Sequence, residues 1–535
     1  MTLTQVIERI ADLVTFEEAS RWASKYLQRD ISVSNISYLV QYGKIPKYQD
    51  NGQAFISIKD LKQYYKSYIG NREINWKKKL GDDINWTLSF DNLKEKDTTK
   101  HVHRLHPYKG KFIPQLVGYF LDSHTDNFKK EVYFKKGDII LDPFCGSGTT
   151  LVQSNELGLH ALGIDISAFN VMISNVKIGE YNLTALYRET DKITDTLKQF
   201  ISDSKVVKFE EHLLEELQKF NSKYFPAPEF RYRVEQREID EEKYGNEKAD
   251  VFLPIYLKLV KQYGIQIKNN KKETFLDTWY LKHVRSEIEF VKNQVEKVKD
   301  YNLRKVMKII LSRTMRSCRA TTHSDLATLK EPVTTTYYCS KHGKICKPLF
   351  SILGWWERYS EDTIQRLTEF NNLRTDAFQM CLTGDARTIN IFSKFRRRSN
   401  KFDSLLKKKK IKGIFSSPPY VGLINYHEQH AYAYDLFNFE RKDDLEIGPL
   451  FKGQGNEAKK SYVQGVSDVL NNCRKYLSQD YHVFLVANDK YNLYPEIAEK
   501  SGMKIMDEFK RPVLNRTERD KAPYSETIFH FRSKT

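Results

Sequence analysis

Apolar and polar positions follow three rhythms along this chain. Near the N-terminus the period is helical: Ala19, Trp22, Ala23 and Leu27 fall on one side of a helix over residues 16–27. Arg29-Asp30 marks a turn, and Ser32 or Ser34 can cap a second helix carrying Ile36, Leu39 and Val40 that stops at Gly43. Residues 44–58 alternate as a hairpin with Asn51-Gly52 at its tip, and Ser57-Ile58-Lys59-Asp60 opens a third helix through Leu61, Tyr64 and Tyr65. In the middle, residues 184–202, 210–224, 249–263 and 278–316 carry apolar residues three and four apart, again the mark of helices. Val466, Val469, Leu470, Cys473 and Leu477 predict one more apolar helix face. The third rhythm is a short continuous apolar run: residues 138–141, 161–164, 411–415 and 482–487 read as buried strands, with closing strands over 507–513 and 525–531 joined through Asn515-Arg516-Thr517.

Three of the buried strands end in candidate chemistry. The first runs through Asp142-Pro143-Phe144-Cys145-Gly146-Ser147-Gly148-Thr149 into a helix. Gly146 and Gly148 permit backbone to approach a ligand where a side chain would block it. The following strand ends at Asp165-Ile166, a carboxylate suited to accept from ribose hydroxyls. This is the adenosine end of a doubly wound α/β fold, and it lacks the glycine spacing of the dinucleotide fingerprint. The other strand ends at Ser417-Pro418-Pro419-Tyr420. Neither proline can donate to a strand ladder, so the carbonyls there are free to face a ligand. Ser417 adds a polar group and Tyr420 a flat face, which suits a planar ring with an exocyclic amine; the alternative is a Pro-Pro turn with a buried tyrosine.

Together these segments resemble the amino-methylating DNA methyltransferases. The resemblance covers residues 101–180 and 376–535 and implies a Rossmann-like methyltransferase sheet. It implies S-adenosyl-L-methionine as cofactor, held by Asp142, Phe144, Gly146, Gly148, Thr149, Asp165 and Ile166. The segment 103–114, with Lys111, Phe112 and Pro114, looks like the one that closes over the methionine end, and Asp385-Ala386 like the one that contacts adenine. Ser417, Pro418, Pro419 and Tyr420 then form the catalytic segment. In this family a serine at its first position is typical of cytosine-N4 enzymes and Asn or Asp of adenine-N6 enzymes, so cytosine N4 is expected and adenine N6 is the alternative. The rival from another class is a non-catalytic DNA-binding regulator with a methylase-like fold. Methylation at cytosine C5 is excluded, because it needs a Pro-Cys pair and none of the six cysteines follows a proline.

Residues 1–70 resemble the winged helix-turn-helix of excisionases and MerR-type regulators. Asn35, Tyr38, Lys44 and Lys47 would then meet DNA; the alternative is a protein-binding domain. Residues 71–100 read as a linker. Residues 181–375 form a mainly helical insertion that interrupts the catalytic domain, and the resemblance implies that it carries target recognition. The expected order is thus DNA-binding module 1–70, linker 71–100, cofactor half 101–180, insertion 181–375 and catalytic half 376–535.

Charge supports the nucleic-acid reading. Among 535 residues the formal net charge is +18, which suits a polyanionic partner, double-stranded DNA first. Arg396, Arg397 and Arg398 belong to a basic run leading to the Ser417 strand, where a DNA backbone would pass. A cognate restriction endonuclease is a possible partner. No signal peptide or membrane-spanning run is legible, so a cytoplasmic protein without membrane contact is expected. Six scattered cysteines make no disulfide framework. Cys339, His342 and Cys346, with Cys318 and His323 before them, have zinc-ligand types without a clean second pair, so no metal is expected and the cysteines read as reduced and separately packed. His101, His103 and His106 read as polar contacts, and the histidines of His427-Glu428-Gln429-His430 are not at zincin spacing.

Overall fold

The computed structural model describes residues 12–27, 31–41, 45–50, 53–69, 78–81, 83–90, 93, 95–202, 204–269, 274–323, 325, 329–395, 400–513 and 523–534. The N-terminal elements are β1 (Leu13–Thr15), α1 (Phe16–Leu27), α2 (Val33–Gln41), β2 (Tyr48–Asp50), β3 (Gln53–Ser57) and α3 (Ile58–Ile69). β2 and β3 pair antiparallel with Asp50 opposite Gln53, and β1 pairs along the other side of β3. The helices and hairpin follow the predicted order; β1 is an addition, too short for periodicity to reveal. Ala19, Ala23, Ile36, Ile56 and Leu61 form a separate small core.

The larger unit is built on β4 (Ile139–Asp142), β5 (His160–Asp165), β8 (Gln379–Thr383), β9 (Ile411–Ser416), β10 (Leu477–Ala487), β11 (Met503–Pro512) and β12 (Ser525–Ser533). A separate hairpin, β6 (Tyr337–Cys339) and β7 (Lys344–Cys346), lies in the insertion. The seven strands order as β11-β12-β10-β9-β4-β5-β8. All neighbours pair in parallel except β12, which runs antiparallel to both β10 and β11. The chain therefore moves outward through β4, β5 and β8, then crosses back to β9 and moves the other way. That reversal makes a crevice at the carboxyl ends of β4 and β9, where doubly wound sheets bind ligands.

Strand alternation sorts the core onto two faces. Ile139, Leu141, Ile414, Val483 and Leu485 point to one face, packed with Val466, Val469 and Leu470 of a long helix over Asn456–Arg474. Ile140, Phe415, Phe484 and Val486 point to the other. That second face is covered by α4 (Pro114–Leu121), α5 (Thr149–Glu156) and α6 (Ala168–Ile178), and its core continues without a break into the insertion. The main insertion helices are α7 (Leu183–Ser202), α8 (Lys205–Tyr224), α9 (Glu241–Tyr263), α10 (Lys282–Glu296), α11 (Tyr301–Ser317) and α12 (Leu353–Asn371).

The structure revises three details. The run 278–316 is not one helix: Asp300 caps a new start, its carboxylate accepting from the N–H groups of Asn302 and Leu303. Leu477 does not extend the 466–474 helix face but begins β10. Part of the expected linker is packed, with Leu88 fully buried and the Asn85 N–H donating to the Lys510 carbonyl on β11 at 2.7 Å. Among the described residues no helix is long and apolar enough to cross a membrane.

Candidate active site

Parallel register brings the motif strands to a common edge. Asp142 ends β4, Asp165 ends β5, Gly384-Asp385 follows β8 and Ser417 follows β9. Between them lies a cavity whose empty space, counting the part open to solvent, is about 910 Å³. Lys111, Phe112, Phe144, Gly146, Thr149, Asp165, Ile166, Asp385 and Ala386 line it, together with Ser417 and Pro419. Eleven predicted site residues, distant in sequence, thus share one wall system.

The β4–α5 turn depends on its two glycines. Gly146 has φ +49 and Gly148 φ +78, the left-handed region that side chains disfavour. A Cβ at Gly146 would meet the Tyr108 ring at 3.0 Å, and one at Gly148 would meet Ser174 Oγ at 2.9 Å. Asp165 holds the turn from the next strand: one carboxylate oxygen accepts from the Gly146 N–H at 2.8 Å, and the other from the Ser167 N–H at 2.8 Å and the Asn170 amide at 3.2 Å. Enclosure by the cavity walls raises the Asp165 pKa to about 6.

Three predicted cofactor residues stand behind the wall rather than on it. Asp142 is buried and accepts a hydrogen bond from Ser416 Oγ at 2.5 Å, and burial raises its pKa to about 6. Gly148 precedes α5 as its cap, and Pro114 is the buried first residue of α4. Lys111 reaches back to donate to the His103 carbonyl at 2.6 Å. Asp385 is clamped by Arg387 through both carboxylate oxygens, at 2.7 to 3.0 Å.

Within the Ser-Pro-Pro-Tyr segment, Ser417 and Pro419 reach the cavity, while Pro418 is not among its lining residues. Tyr420 borders an adjacent smaller cleft with Tyr462, Asp489 and Tyr494. Its hydroxyl donates to Glu526 on β12 at 2.8 Å.

Several cavity residues are ones the sequence did not single out as site residues. Tyr108 and Tyr426 stack at 6.2 Å between centroids. His427 is paired with Glu446, whose carboxylate also accepts from the His427 N–H at 2.8 Å. Asn170 was legible only as a helix position three after the capping Ser167. Glu446 lies in a loop without periodicity.

At the mouth, burial and the nearby Arg316 and Arg319 push His430 down to about 3, and partial burial, then the same two cations, lower the Lys109 pKa. The insertion, through the end of α11, therefore contributes positive charge beside the cavity.

The predicted DNA contacts are distributed differently. Asn35 is exposed, but its side-chain oxygen accepts from the Ser32 N–H and hydroxyl, so it caps α2. Lys47 is exposed before β2. Lys44, the Tyr38 side chain and Arg396, Arg397 and Arg398 lie outside the described residues. His101 and His103 meet Glu156, at 3.0 and 3.8 Å, and His106 contacts Ser312 at 3.0 Å.

The cavity suits an adenosyl sulfonium cofactor. It has carboxylates for hydroxyl and amine donors, aromatic walls at Phe112 and Phe144, and backbone access at Gly146 that a side chain would close. It also holds two buried polar atoms, Ser147 Oγ and Asn170 Oδ1, with no protein hydrogen-bond partner among the described residues.

A profile of the DNA methylase family, the N6/N4 methyltransferases, matches residues 33–176. The chain is 47% identical to the Type II methyltransferase M.MjaII of Methanocaldococcus jannaschii over 98% of both chains. It is also 34% identical to the Type II methyltransferase M.MvaI of Kocuria varians, over 25% of this chain and 28% of that one. Similarity to the Type II methyltransferase M.BsoBI of Geobacillus stearothermophilus reaches 38% identity over 18% of each. With a seven-stranded sheet, a glycine turn and a Ser-Pro-Pro-Tyr segment meeting at one cavity, and a relative alike along almost its whole length, this chain belongs to the N6/N4 DNA methylase family, whose methyl donor is S-adenosyl-L-methionine.

Proposed function

We propose that the chain is a site-specific DNA methyltransferase whose target is the N4 amine of a flipped cytosine. The observation that carries this reading is Ser417, which extends β9 onto the wall of the same cavity as Asp165 and Asp385. Held by Asp165 at its ribose, by Phe144, Ile166, Asp385 and Ala386 at its adenine, and by the 103–114 segment at its methionine end, the cofactor supplies an electrophilic methyl group. Gly146, Gly148, Thr149 and Asp142 form and support the turn beneath it.

The target amine is a poor nucleophile because its lone pair is delocalised into the ring. Ser417 Oγ and the Pro418 carbonyl accept its hydrogens and draw the nitrogen out of conjugation. Tyr420, braced through Glu526, is the stacking face. Rate enhancement then comes from orientation and fixed acceptors rather than from a covalent enzyme intermediate. A base inside a duplex cannot reach such a crevice, so it is flipped out.

DNA approaches along Lys109 and Arg316, with Arg396, Arg397 and Arg398 as further phosphate contacts and the buried Arg319 adding positive charge behind them. The insertion 181–375 carries target recognition, and residues 1–70 supply a second DNA contact through Tyr38, Lys44 and Lys47, with Asn35 capping the helix that carries Tyr38. A cognate restriction endonuclease is the partner this reading expects, since the relative alike over its whole length is named a Type II methyltransferase.

The test is transfer of a tritiated methyl group to mixed-sequence DNA, followed by digestion to nucleosides. N4-methylcytosine is the expected product. N6-methyladenine would overturn the choice of base and leave amino-methylation standing. No labelled nucleoside from a folded, cofactor-binding chain would overturn the enzyme reading.

A further inference from the structure

Cys339 and Cys346 of the insertion are not separately packed. Cys339 ends β6, His342 lies in the turn and Cys346 ends β7. The turn is tight: the N–H groups of His342 and Gly343 both donate to the Cys339 carbonyl, at 3.1 and 2.7 Å, and Gly343 has φ +62. This folds Cys339, His342 and Cys346 onto one point. His323 then comes in from a different segment, sixteen residues before Cys339.

The four ligand atoms lie within 4.8 Å of one another. Cys339 Sγ is 3.7 Å from His323 Nδ1 and 3.6 Å from His342 Nδ1, and His342 Nδ1 is 3.4 Å from Cys346 Sγ. Bonds of about 2.3 Å to sulfur and about 2.0–2.1 Å to nitrogen around a tetrahedral ion require ligand separations of about 3.4 to 3.8 Å. The observed spacings match that shape. We propose that Cys339, His342, Cys346 and His323 form a structural zinc site.

Two thiolates and two imidazoles in a tetrahedral set select zinc over hard, oxygen-preferring cations. All four positions are protein side chains, so the site is closed, and none of them lines the cofactor cavity. Its role is therefore mechanical. The β6–β7 hairpin is docked on α9 through the Tyr338 hydroxyl, which donates to Glu241 at 2.8 Å. His323 belongs to the segment that leaves α11 just after Arg316 and Arg319. A bound ion would cross-link that segment to the hairpin and so fix the cationic rim from behind. The Tyr337 hydroxyl, 2.8 Å from His323 Nδ1, is the group the ion displaces from that nitrogen.

Elemental analysis of the full chain purified without chelator tests this directly, with about one zinc per chain expected. Cobalt exchanged into the site should give the intense visible bands of a tetrahedral ion with thiolate charge transfer. Cys346→Ser and His323→Ala should lower metal content at least tenfold. Cys473→Ser, a buried cysteine on the Asn456–Arg474 helix, should leave it unchanged. A chain that contains no zinc and takes none up on dialysis would overturn the proposal. So would zinc content that survives both ligand substitutions, which would mean an adventitious ion only. Should the variants fail to fold, metal content and the cobalt spectrum of the unaltered chain decide alone.

Discussion

The Gly146 N–H donates to the Asp165 carboxylate at 2.8 Å, so the residue expected to hold the ribose also shapes the turn beneath the cofactor. One side chain links two strands, and its protonation state bears on both tasks. Burial raises its pKa to about 6, above the ordinary Asp value of about 3.9. The folded chain therefore keeps this proton where the unfolded chain has released it. Asp165 thus favours the fold most below about pH 4, and this contribution is lost as pH rises through about 6. Cofactor binding has the opposite sign, because ribose hydroxyls need the ionised acceptor. Affinity measured by calorimetry should weaken as pH falls from about 8 to about 5, and Asp165→Asn should bind weakly with a flatter slope. Wild-type affinity that is flat across that range would remove Asp165 from the ribose role.

Ser417→Ala should leave cofactor affinity intact and slow single-turnover methyl transfer by roughly ten- to a thousand-fold, the scale for removing one placed polar group. The fold should survive, because the core residues beside it, Ile414 and Phe415, are untouched. A Ser417→Ala enzyme at full speed would reduce the tetrapeptide to a turn.

Tyr420 separates stacking from bracing. Tyr420→Ala should lose about 1–3 kcal/mol of base stacking, read as weaker binding of DNA carrying an unpaired target base. Tyr420→Phe keeps the ring and loses only the hydroxyl, which bonds Glu526 and Ser417, so it should bind such DNA nearly as well as the parent. Equal loss in both variants would assign Tyr420 to the C-terminal strands rather than to the base.

Removing residues 1–70 should weaken DNA binding and flatten its dependence on salt, because phosphate contacts set that slope. Methyl transfer on saturating DNA should persist. Deletion without effect on the slope would make the module a protein-binding domain.

The catalytic sheet was legible because each motif strand is a short apolar run stopped by Gly, Pro or Asp. Ile139–Asp142 and Ile411–Ser416 fall where those runs predict. Ser417 and Asp165 could be named for the same reason, each lying at or just past the end of such a run, whereas Asp385 was named by resemblance alone and its strand Gln379–Thr383 was not read as an apolar run. Glu446 and Tyr426 could not, since they reach the cavity from loops whose course no local periodicity encodes. The zinc-type cluster was half legible. Cys339, His342 and Cys346 are local, but His323 joins them only through the path of a loop, and without it the set lacks a fourth ligand. Helical periodicity in the insertion revealed faces and not partners. Leu197, Ile310 and Leu367 are buried in the same core as Ile140 and Phe415.

That shared core limits how sequence specificity can change. β5 and β8 are neighbours, so the insertion departs and returns at adjacent positions and resembles a detachable cassette. It is not one, because its helix α11 packs on α6, one of the helices that cover the catalytic sheet on that side, within one continuous core. A chimaera exchanging residues 181–375 with a relative would uncover the side of α6 that packs on α11 unless the incoming helices presented a matching face. On the proposed role of the insertion in target recognition, new target sequences are reached by altering residues on its outer surface, with its inner face held constant.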